Sequence, residues 1–511
     1  MKNILKYTFA LLAIGFVSCD PEFDSPVTDE GFYTSGTADL SKYVSVGNSL
    51  TAGYADGALY ITGQNNSYPN IMAEQFSFAG GGDFTQPLMN DNVGGLLLSG
   101  TQITENRYIL AVGPNGNPSP VRLIGTPTTD IANKLTGPFN NMGVPGAKSF
   151  HLVAPGYGNI AGVPTGAANP YFARFASSEG ATVLDDATSQ NPTFFSLWIG
   201  NNDILGYATS GGSGVDQTGN FDPSTYGGND ITDPNVFAAV YSQQVEALTG
   251  NGAKGVLVNI PEVTSIPYFT TVPTNAIPLD APTAAQLNAQ FGAYNTQILP
   301  GLVGIGFITA EEAALRMINF SAGQNFPIMT DDDLTDLTAV LQGPPFNLPA
   351  SLAALLGQLR QVKSDDLIVL TASSILGTTP DPGNPQGVIG VTIPLSDKSV
   401  LAVSEQARVT AASTSYNATI QALAGAKGLA YVDAKAALAS VANGGIPYDG
   451  GILTSQFATG GAFSLDGVHP TPRGYAFTAN LIIQAINDTY DATIPKVHIG
   501  NYPTVTVSNN P

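Results

Sequence analysis

Tyr43-Val44-Ser45-Val46-Gly47-Asn48-Ser49-Leu50 is the stretch of sequence that decides the fold. Its first four residues predict a short buried strand that stops at Gly47. The polar residues Asn48 and Ser49 would then lie at the carboxyl end of that strand, where open α/β sheets place their binding sites. Considered alone, the stretch favours an ordinary turn, because serine is common in turns.

Strand and helix patterns alternate along the rest of the chain. Further buried strands are predicted at residues 192–199, 255–260 and 429–432. Helical spacing of apolar residues is found over residues 236–248, about 405–423, and from Pro472 through Ile486. This alternation predicts an α/β domain of three layers (α/β/α), with a parallel central sheet between two layers of helices.

A segment from about residue 273 to 401 interrupts the alternation with Pro-rich joints and short apolar helices. We expect it to be a large, mostly helical or irregular insertion. Within it, i, i+3, i+4, i+7 spacing predicts one apolar helical stripe, formed by Leu352, Leu355, Leu356 and Leu359. Core packing is the expected role of this stripe, and a substrate lid is the alternative.

Composition indicates a folded, strongly acidic protein. The 511 residues are 43% hydrophobic and 9% aromatic, which is enough for a full core. Only 18 Lys and Arg stand against 39 Asp and Glu, giving a formal charge of −21. Such a surface repels phosphate backbones, so we expect no nucleic acid partner. We also expect a monomer.

The amino terminus has the layout of a secretory signal. Two lysines precede an apolar run over residues 7–17, which ends at Ser18-Cys19. Cys19 is the only cysteine, and the run resembles a bacterial lipobox, with Phe16 where Leu is usual. We therefore expect residues 1–18 to be removed and Cys19 to be lipidated. An ordinary signal peptide with an incidental cysteine is the alternative.

Acidic residues follow the cysteine. Asp20, Glu22 and Asp24 resemble the surface-export tags of Bacteroidetes lipoproteins, although a solvated tether would look the same. We expect an exported lipoprotein of the outer membrane or cell surface, with the periplasm as the alternative. Residues 19–40 would form an acidic linker, 41–490 the folded domain and 491–511 a C-terminal tail.

One loop carries a candidate general base. Asp466 and His469 lie three residues apart in front of the last helix, a spacing that lets the carboxylate reach the imidazole. A serine nucleophile needs such a base and a group to orient it. The chain has only 3 histidines, and His151 and His498 lack a comparable carboxylate, so we expect structural or solvent roles for them.

Two other stretches can supply hydrogen-bond donors to an oxyanion. Asn202 follows the predicted strand at residues 192–199, and its amide can donate without titrating. Turn capping is its alternative role. The run from Asn141 to Ala147 is a glycine-bounded turn whose backbone N–H groups, including that of Gly146, can face a ligand.

These stretches occur in the order of the four sequence blocks of the SGNH hydrolase, or GDSL lipase/esterase, family, which the chain therefore resembles. The blocks are Gly47-Asn48-Ser49-Leu50, Asn141 to Gly146, Gly200-Asn201-Asn202-Asp203 and Asp466-Gly467-Val468-His469. One departure is Asn48, which replaces the Asp of the GDSL name. In the family that position supports the loop, so we expect its shape to be kept.

The resemblance implies a flavodoxin-like SGNH hydrolase fold and a set of roles. Ser49 would be the nucleophile, with Asp466 and His469 completing the triad. The N–H groups of Ser49 and Gly146 and the side chain of Asn202 would form the oxyanion hole. The implied activity is hydrolysis of carboxylic esters through an acyl-enzyme, with a small-molecule, lipid or acyl ester as substrate. A carbohydrate O-acetyl esterase and a non-catalytic surface-binding lipoprotein remain the alternatives.

No cofactor or metal is expected. The chain has no thiol beyond Cys19, no H-E-x-x-H pair and no P-loop. The run Asp331-Asp332-Asp333 could attract calcium, but we expect it to be a solvated helix start.

Overall fold

The structure is a computed structural model that describes residues 31–112 and 118–508. The predicted signal peptide and the lipidation site Cys19 lie outside the described residues. Within the two described ranges, no helix combines the length and apolarity that a membrane span requires.

Five parallel strands form the central sheet, as the alternation predicts for an α/β fold. They are β1 (Tyr43–Gly47), β2 (Asn141–Gly143), β3 (Phe194–Trp198), β4 (Lys254–Val258) and β5 (Ala430–Val432). The spatial order is β2-β1-β3-β4-β5, consistent with a flavodoxin-like doubly wound sheet. Sequence patterns predict four of these strands. They miss β2, because its residues Asn141-Met142-Gly143 form no apolar run.

Helices flank the sheet in two groups. The principal helices are α1 (Ser49–Ala52), α2 (Tyr68–Phe76), α3 (Asn202–Thr209), α4 (Pro234–Thr249), α5 (Val403–Lys427), α6 (Ala434–Ala442) and α7 (Pro472–Tyr490). Helices α2 and α7 pack on each other, while α3 and α4 pack on α5. Every residue of β1 and β3 is buried, which requires helices on both faces of the sheet.

Aromatic packing attaches the α2 and α7 group to the sheet. Phe194 of β3 lies 5.8 Å from Phe76 and 5.9 Å from Tyr490, measured between ring centroids. In the other group, Phe237 of α4 stacks on Tyr416 of α5 at 4.2 Å. The predicted helices over residues 236–248, 405–423 and 472–486 are therefore confirmed, each slightly longer than its pattern indicates.

Residues between β4 and α5 build a second hydrophobic cluster of their own. Its helices are Ala281–Ala293, Tyr294–Ile298, Leu299–Gly304, Ala310–Arg316, Thr338–Gln342 and Ala350–Leu356. Short antiparallel strand pairs join them, Ile277–Leu279 with Gly323–Asn325 and Ile328–Thr330 with Leu359–Gln361. A third pair, Leu367–Ile368 with Val400–Leu401, closes the segment.

The expected single leucine stripe in this segment is wrong. The helix Ala350–Leu356 ends before Leu359, which lies on the strand Leu359–Gln361 instead. Leu352 is exposed, whereas Leu356 is buried. Gly357 follows the helix and is tightly packed against Thr338 and Asp336. The chain turns there, so the seven-residue spacing does not lie on one helix face.

The described ends of the chain are packed more extensively than a linker and a tail would be. Ala38 and Leu40 are buried, and the Thr37 N–H donates to the Tyr490 carbonyl at 2.7 Å. At the other end, the strand Val507–Ser508 pairs in parallel with Tyr108–Val112, which also pairs with Pro118–Arg122. The folded part therefore extends beyond the predicted bounds of 41 and 490.

The turn after β1 packs closely against its neighbours because Gly47 has no side chain. A Cβ at Gly47 would lie closer than 3.0 Å to the Thr51 Oγ1 and the Trp198 carbonyl oxygen. One contact is with α1 and the other with β3, so Gly47 lets the turn after β1 pack tightly between them.

We predict that Gly47→Ala destabilises the protein by about 1–3 kcal/mol, because the added methyl overlaps backbone and a buried threonine. Chemical denaturation measures the change. Gly425→Ala is the matched control, since nothing lies within 4 Å of a Cβ there and the residue is in α5. The control should be neutral or stabilising by up to about 1 kcal/mol. Equal stabilities of the two variants would contradict the role of Gly47.

Candidate active site

Ser49 is the first residue of α1 and follows β1 after a single residue, Asn48. Asn48 is the N-cap, and its Oδ1 accepts the Leu50 N–H at 3.0 Å. Its Nδ2 donates to the Asn201 Oδ1 at 3.1 Å, which joins the loop after β1 to the loop after β3. The loop shape is thus held by an amide that accepts on one side and donates on the other.

The structure brings Ser49, His469 and Asp466 into one hydrogen-bonded line. The Ser49 Oγ lies 2.9 Å from the His469 Nε2, although the residues are 420 positions apart. The His469 Nδ1 lies 2.8 Å from the Asp466 Oδ2. This geometry allows the imidazole to take the serine proton while the carboxylate fixes its orientation.

Several hydrogen-bond donors keep the Asp466 side chain ionised. Its Oδ1 accepts the N–H groups of Val468 at 2.9 Å and His469 at 2.8 Å. Burial acts to raise the pKa of Asp466, but the charge of His469 and these hydrogen bonds outweigh it and lower the pKa to about 2. Asp466 therefore stays ionised and can stabilise a protonated His469.

Three other contacts in this cluster are not predicted by the sequence. The Gly57 N–H donates to the Asp466 Oδ2 at 2.9 Å, and the Ser464 hydroxyl donates to its Oδ1 at 3.1 Å. The Tyr54 ring lies 4.7 Å from the His469 ring, measured between centroids. Ser464 lies two residues before Asp466, so a local sequence pattern could have indicated its contact with the carboxylate. Gly57 and Tyr54 come from the distant segment after α1, so no local pattern points to them.

Of the candidate oxyanion donors, Ser49 and Asn202 line one pocket, whereas Gly146 does not line it and is joined to Asn202 through its neighbour Ala147. As the first residue of α1, Ser49 has a backbone N–H without an intrahelical acceptor. Asn202 lines the pocket that contains Ser49, and its Nδ2 donates to the Ala147 carbonyl at 2.9 Å. An amide nitrogen carries two hydrogens, so one remains for a ligand. Gly146 is exposed and has φ +80°, and it lies directly before Ala147.

Further contacts join the Gly146 turn to α3. Asp203 accepts the Ser149 N–H at 2.8 Å and the Ser149 hydroxyl at 2.6 Å. A separate contact holds the turn from another loop, since the Asn169 Nδ2 donates to the Pro145 carbonyl at 2.8 Å. The turn after β2 is therefore attached to the first turn of α3, close to Asn202.

An apolar pocket opens beside Ser49. Its cavity volume is about 120 Å³, and the empty space including its open mouth is about 930 Å³. Its side-chain polar groups come from Ser49, Asn201, Asn202, His469 and Thr478, and the rest of its lining is apolar. Helices α6 and α7 form much of the wall through Ala437, Leu438, Val441, Phe477 and Leu481. No residue between 273 and 401 lines this pocket, so the insertion does not cover it as a lid.

The other two histidines are placed as the sequence predicts. His151 stacks on Tyr157 at 4.5 Å, and its Nδ1 accepts the Lys148 backbone N–H at 3.0 Å. Burial, followed by the charge of Lys148, lowers the pKa of His151 to about 4. His498 is exposed to solvent.

The expected solvated helix start at Asp331-Asp332-Asp333 is wrong. The three residues form a turn after the strand Ile328–Thr330, and no helix begins there. Asp331 is only 3% exposed, because its carboxylate is bound by the Arg360 guanidinium. The triple aspartate resembles a helix start in sequence only, since Arg360 comes from the paired strand.

Comparison of the chain with protein-family models, with curated proteins and with solved structures finds no match.

We predict that Asp466 makes the protein's stability fall in acid. Its pKa is lowered from 3.8, so its contribution is present above about pH 4 and is lost as the pH falls through about 2. The lowering corresponds to about 2 kcal/mol. Unfolding free energies of the protein and of Asp466→Asn should therefore converge by about 2 kcal/mol between about pH 5 and about pH 2. Parallel pH profiles of the two proteins would contradict the prediction.

Proposed function

We propose that this protein is a serine ester hydrolase. The observation that carries the proposal is the continuous hydrogen-bonded line from the Ser49 Oγ through the His469 ring to the Asp466 carboxylate. The line lies at the carboxyl ends of β1 and β3, where the strand order of the sheet reverses direction. Doubly wound sheets bind their ligands at that position.

In the proposed mechanism, the Ser49 Oγ attacks the ester carbonyl while the His469 Nε2 takes its proton. Asp466 stays ionised and stabilises the resulting imidazolium. The N–H groups of Ser49 and Gly146 and the Asn202 amide stabilise the oxyanion of the tetrahedral intermediate. His469 then returns the proton to the leaving alcohol. A water molecule, activated by the same histidine, releases the acyl group from Ser49.

We propose further that the protein is an SGNH hydrolase, and two independent observations support this. One is the resemblance of the four sequence blocks to those of the SGNH hydrolases. The other is the β2-β1-β3-β4-β5 strand order, which is that of a flavodoxin-like sheet. We further propose that the protein is an exported lipoprotein attached to a membrane through a lipid on Cys19. That proposal rests on the layout of residues 1–24 alone.

For the substrate, we propose an ester with an apolar acyl chain. The pocket beside Ser49 is lined mostly by apolar side chains, which suit an acyl chain, and it offers few hydrogen-bonding groups for sugar hydroxyls. An acyl chain would lie between α6 and α7, against Leu438 and Phe477. Burying each methylene there contributes about 0.8 kcal/mol. The pocket therefore favours an acyl esterase over a carbohydrate O-acetyl esterase.

We predict that a fluorophosphonate probe labels the protein at Ser49 and that Ser49→Ala abolishes the adduct, as read by intact mass. Ser415→Ala is the matched control, because Ser415 is an exposed serine on α5. Asn202→Ala should keep the label but lower kcat on ester substrates about a hundredfold or more. Absence of an adduct that depends on Ser49 would reject the hydrolase proposal and favour a binding protein.

We predict that Ala437→Phe shifts the chain-length preference toward short esters, because the new ring fills the pocket between α6 and α7. Against p-nitrophenyl esters, the octanoate-to-acetate ratio of kcat/KM should fall by about tenfold or more. Ala439→Phe, on the exposed side of the same helix, is the control and should leave that ratio unchanged. A wild-type preference for acetate over octanoate would instead support the O-acetyl esterase.

A further inference from the structure

A tight turn next to the triad comes from the segment that follows α1. Residues 55–58 read Ala-Asp-Gly-Ala, and Ala55 and Ala58 exchange two backbone hydrogen bonds of 3.1 Å. Asp56 and Gly57 lie between them with φ +53° and +73°. Positive φ at both central residues is what a two-residue hairpin turn requires, and Asp-Gly is a favoured pair there. We call residues 55–58 the Asp-Gly turn.

Both central N–H groups of the Asp-Gly turn donate to the loop that carries the triad acid. The Asp56 N–H donates to the Ser464 Oγ at 2.9 Å, although the two residues are 408 positions apart. The Gly57 N–H donates to the Asp466 Oδ2 at 2.9 Å. The Asp56 side chain adds a third contact, since its Oδ1 accepts the Leu465 N–H at 3.0 Å. The turn therefore contacts three consecutive residues of the loop.

The Ser464 hydroxyl links the turn to the Asp466 carboxylate. Ser464 is 1% exposed, and its Oγ lies 3.1 Å from the Asp466 Oδ1. A backbone N–H can only donate, so the hydroxyl accepts from Asp56 and its own proton is left for Asp466. Asp466 is thus held at Oδ1 through Ser464 and at Oδ2 through Gly57. A carboxylate bound at both oxygens cannot rotate freely, which keeps Oδ2 directed at the His469 Nδ1.

Asp56 is a buried carboxylate that only uncharged donors hold. It is 3% exposed, and burial raises its pKa. Among the residues that the structure describes, none forms an ion pair with it. Its Oδ2 accepts the Tyr60 hydroxyl at 2.8 Å, while Oδ1 is bound to the Leu465 N–H. These two bonds fix the side chain and, with it, the separation between the turn and the loop.

The Asp-Gly turn is also tied to the nucleophile. Three residues separate α1 from Asp56. One of them, Tyr54, donates its N–H to the Ser49 carbonyl at 3.0 Å, and its own carbonyl accepts the Tyr475 hydroxyl of α7 at 2.7 Å. The path from Ser49 to the turn is therefore short and hydrogen-bonded. A shift of the turn against the loop would change the distance between Ser49 and His469.

We propose that Asp56 and Ser464 are positioning residues for the triad. Together they hold the loop of Asp466 and His469 at the distance from Ser49 that proton transfer needs. Neither side chain touches the reacting atoms, and both act through Asp466. Rates depend steeply on such placement, since a displacement of about 1 Å can cost about a hundredfold. This inference rests on the proposed ester hydrolase function, because it concerns turnover at the same site.

The first test compares Ser464→Ala with Ser413→Ala on p-nitrophenyl octanoate. Ser464→Ala should lower kcat about tenfold, because Asp466 loses a donor and the Asp56 N–H loses its acceptor. KM should change by less than about threefold, since Ser464 does not line the pocket. Ser413→Ala is the matched control and should keep both constants. Ser413 is also a buried serine, 2% exposed, but its hydroxyl donates to the Thr410 carbonyl within α5. Tm shows whether each variant is folded.

The second test removes or keeps the acceptor on Asp56. Asp56→Gly deletes the side chain without straining the turn, because glycine adopts positive φ readily. Asp56→Asn keeps an oxygen for the Leu465 N–H, and asparagine also tolerates this conformation. Asp56→Gly should lower kcat at least about tenfold with little change in KM. Asp56→Asn should have a kcat at least about fivefold above that of Asp56→Gly, because it retains the hydrogen bond.

A spectroscopic measurement tests the positioning without any ester. In a triad, the histidine Nδ1 carries the proton that it donates to the carboxylate. The unmodified protein should therefore give a far-downfield proton NMR signal from the His469 Nδ1, and His469→Gln should abolish it. The signal should shift upfield in Ser464→Ala, where the carboxylate is less well held, and should stay in place in Ser413→Ala.

These measurements separate the two proposals. Lack of ester turnover and of Ser49 labelling in the unmodified protein would reject the hydrolase, and the NMR signal would still decide the positioning. The positioning is overturned if Ser464→Ala keeps the kcat and the NMR signal of Ser413→Ala. It is equally overturned if Asp56→Gly and Asp56→Asn have the same kcat, or if the unmodified protein gives no such signal.

Discussion

The hydrogen bond between the Ser49 Oγ and the His469 Nε2 is the contact on which the proposed chemistry depends, and the sheet topology makes it possible. Ser49 follows β1 near the start of the domain, and His469 precedes α7 near its end. Parallel strands direct all their carboxyl ends to one edge of the sheet, so loops that are far apart in sequence meet there. Reversal of the strand order between β1 and β3 leaves a crevice at that edge.

Small residues and amides keep this edge compact. Gly47 allows the turn after β1 to approach β3, and the Asn48 side chain bonds to Asn201 across the same gap. The Asn141 Nδ2 donates to the Thr51 carbonyl at 3.0 Å, which attaches β2 to α1. These hydrogen bonds satisfy buried polar groups through uncharged donors and acceptors, so they add no charge next to Ser49. Asp466, whose carboxylate contacts the His469 ring, is surrounded by donors that keep it ionised.

The apolar segments of the chain have two different roles. Residues of α6 and α7 line the pocket beside Ser49, while the leucine-rich insertion packs into its own core. Both places contain runs of apolar residues, so an apolar run alone does not reveal which one faces a ligand. The pocket forms because α6 follows β5 and α7 follows the His469 loop. Both helices therefore lie at the edge of the sheet where Ser49 is located.

By itself, the sequence determined the parallel α/β class and the members of the candidate triad. Buried strands and amphipathic helices have periods that local pattern reveals, and the four motifs are local too. It could not reveal β2, whose residues Asn141-Met142-Gly143 form no apolar run, or the bends that break the leucine stripe. Nor could it reveal the contacts of Gly57 and Tyr54 with the triad, the pocket wall, or the proximity of Asp397 to Asp331 and Asp332. Those depend on which distant segments become neighbours, and only the packing of strands and helices in three dimensions decides that.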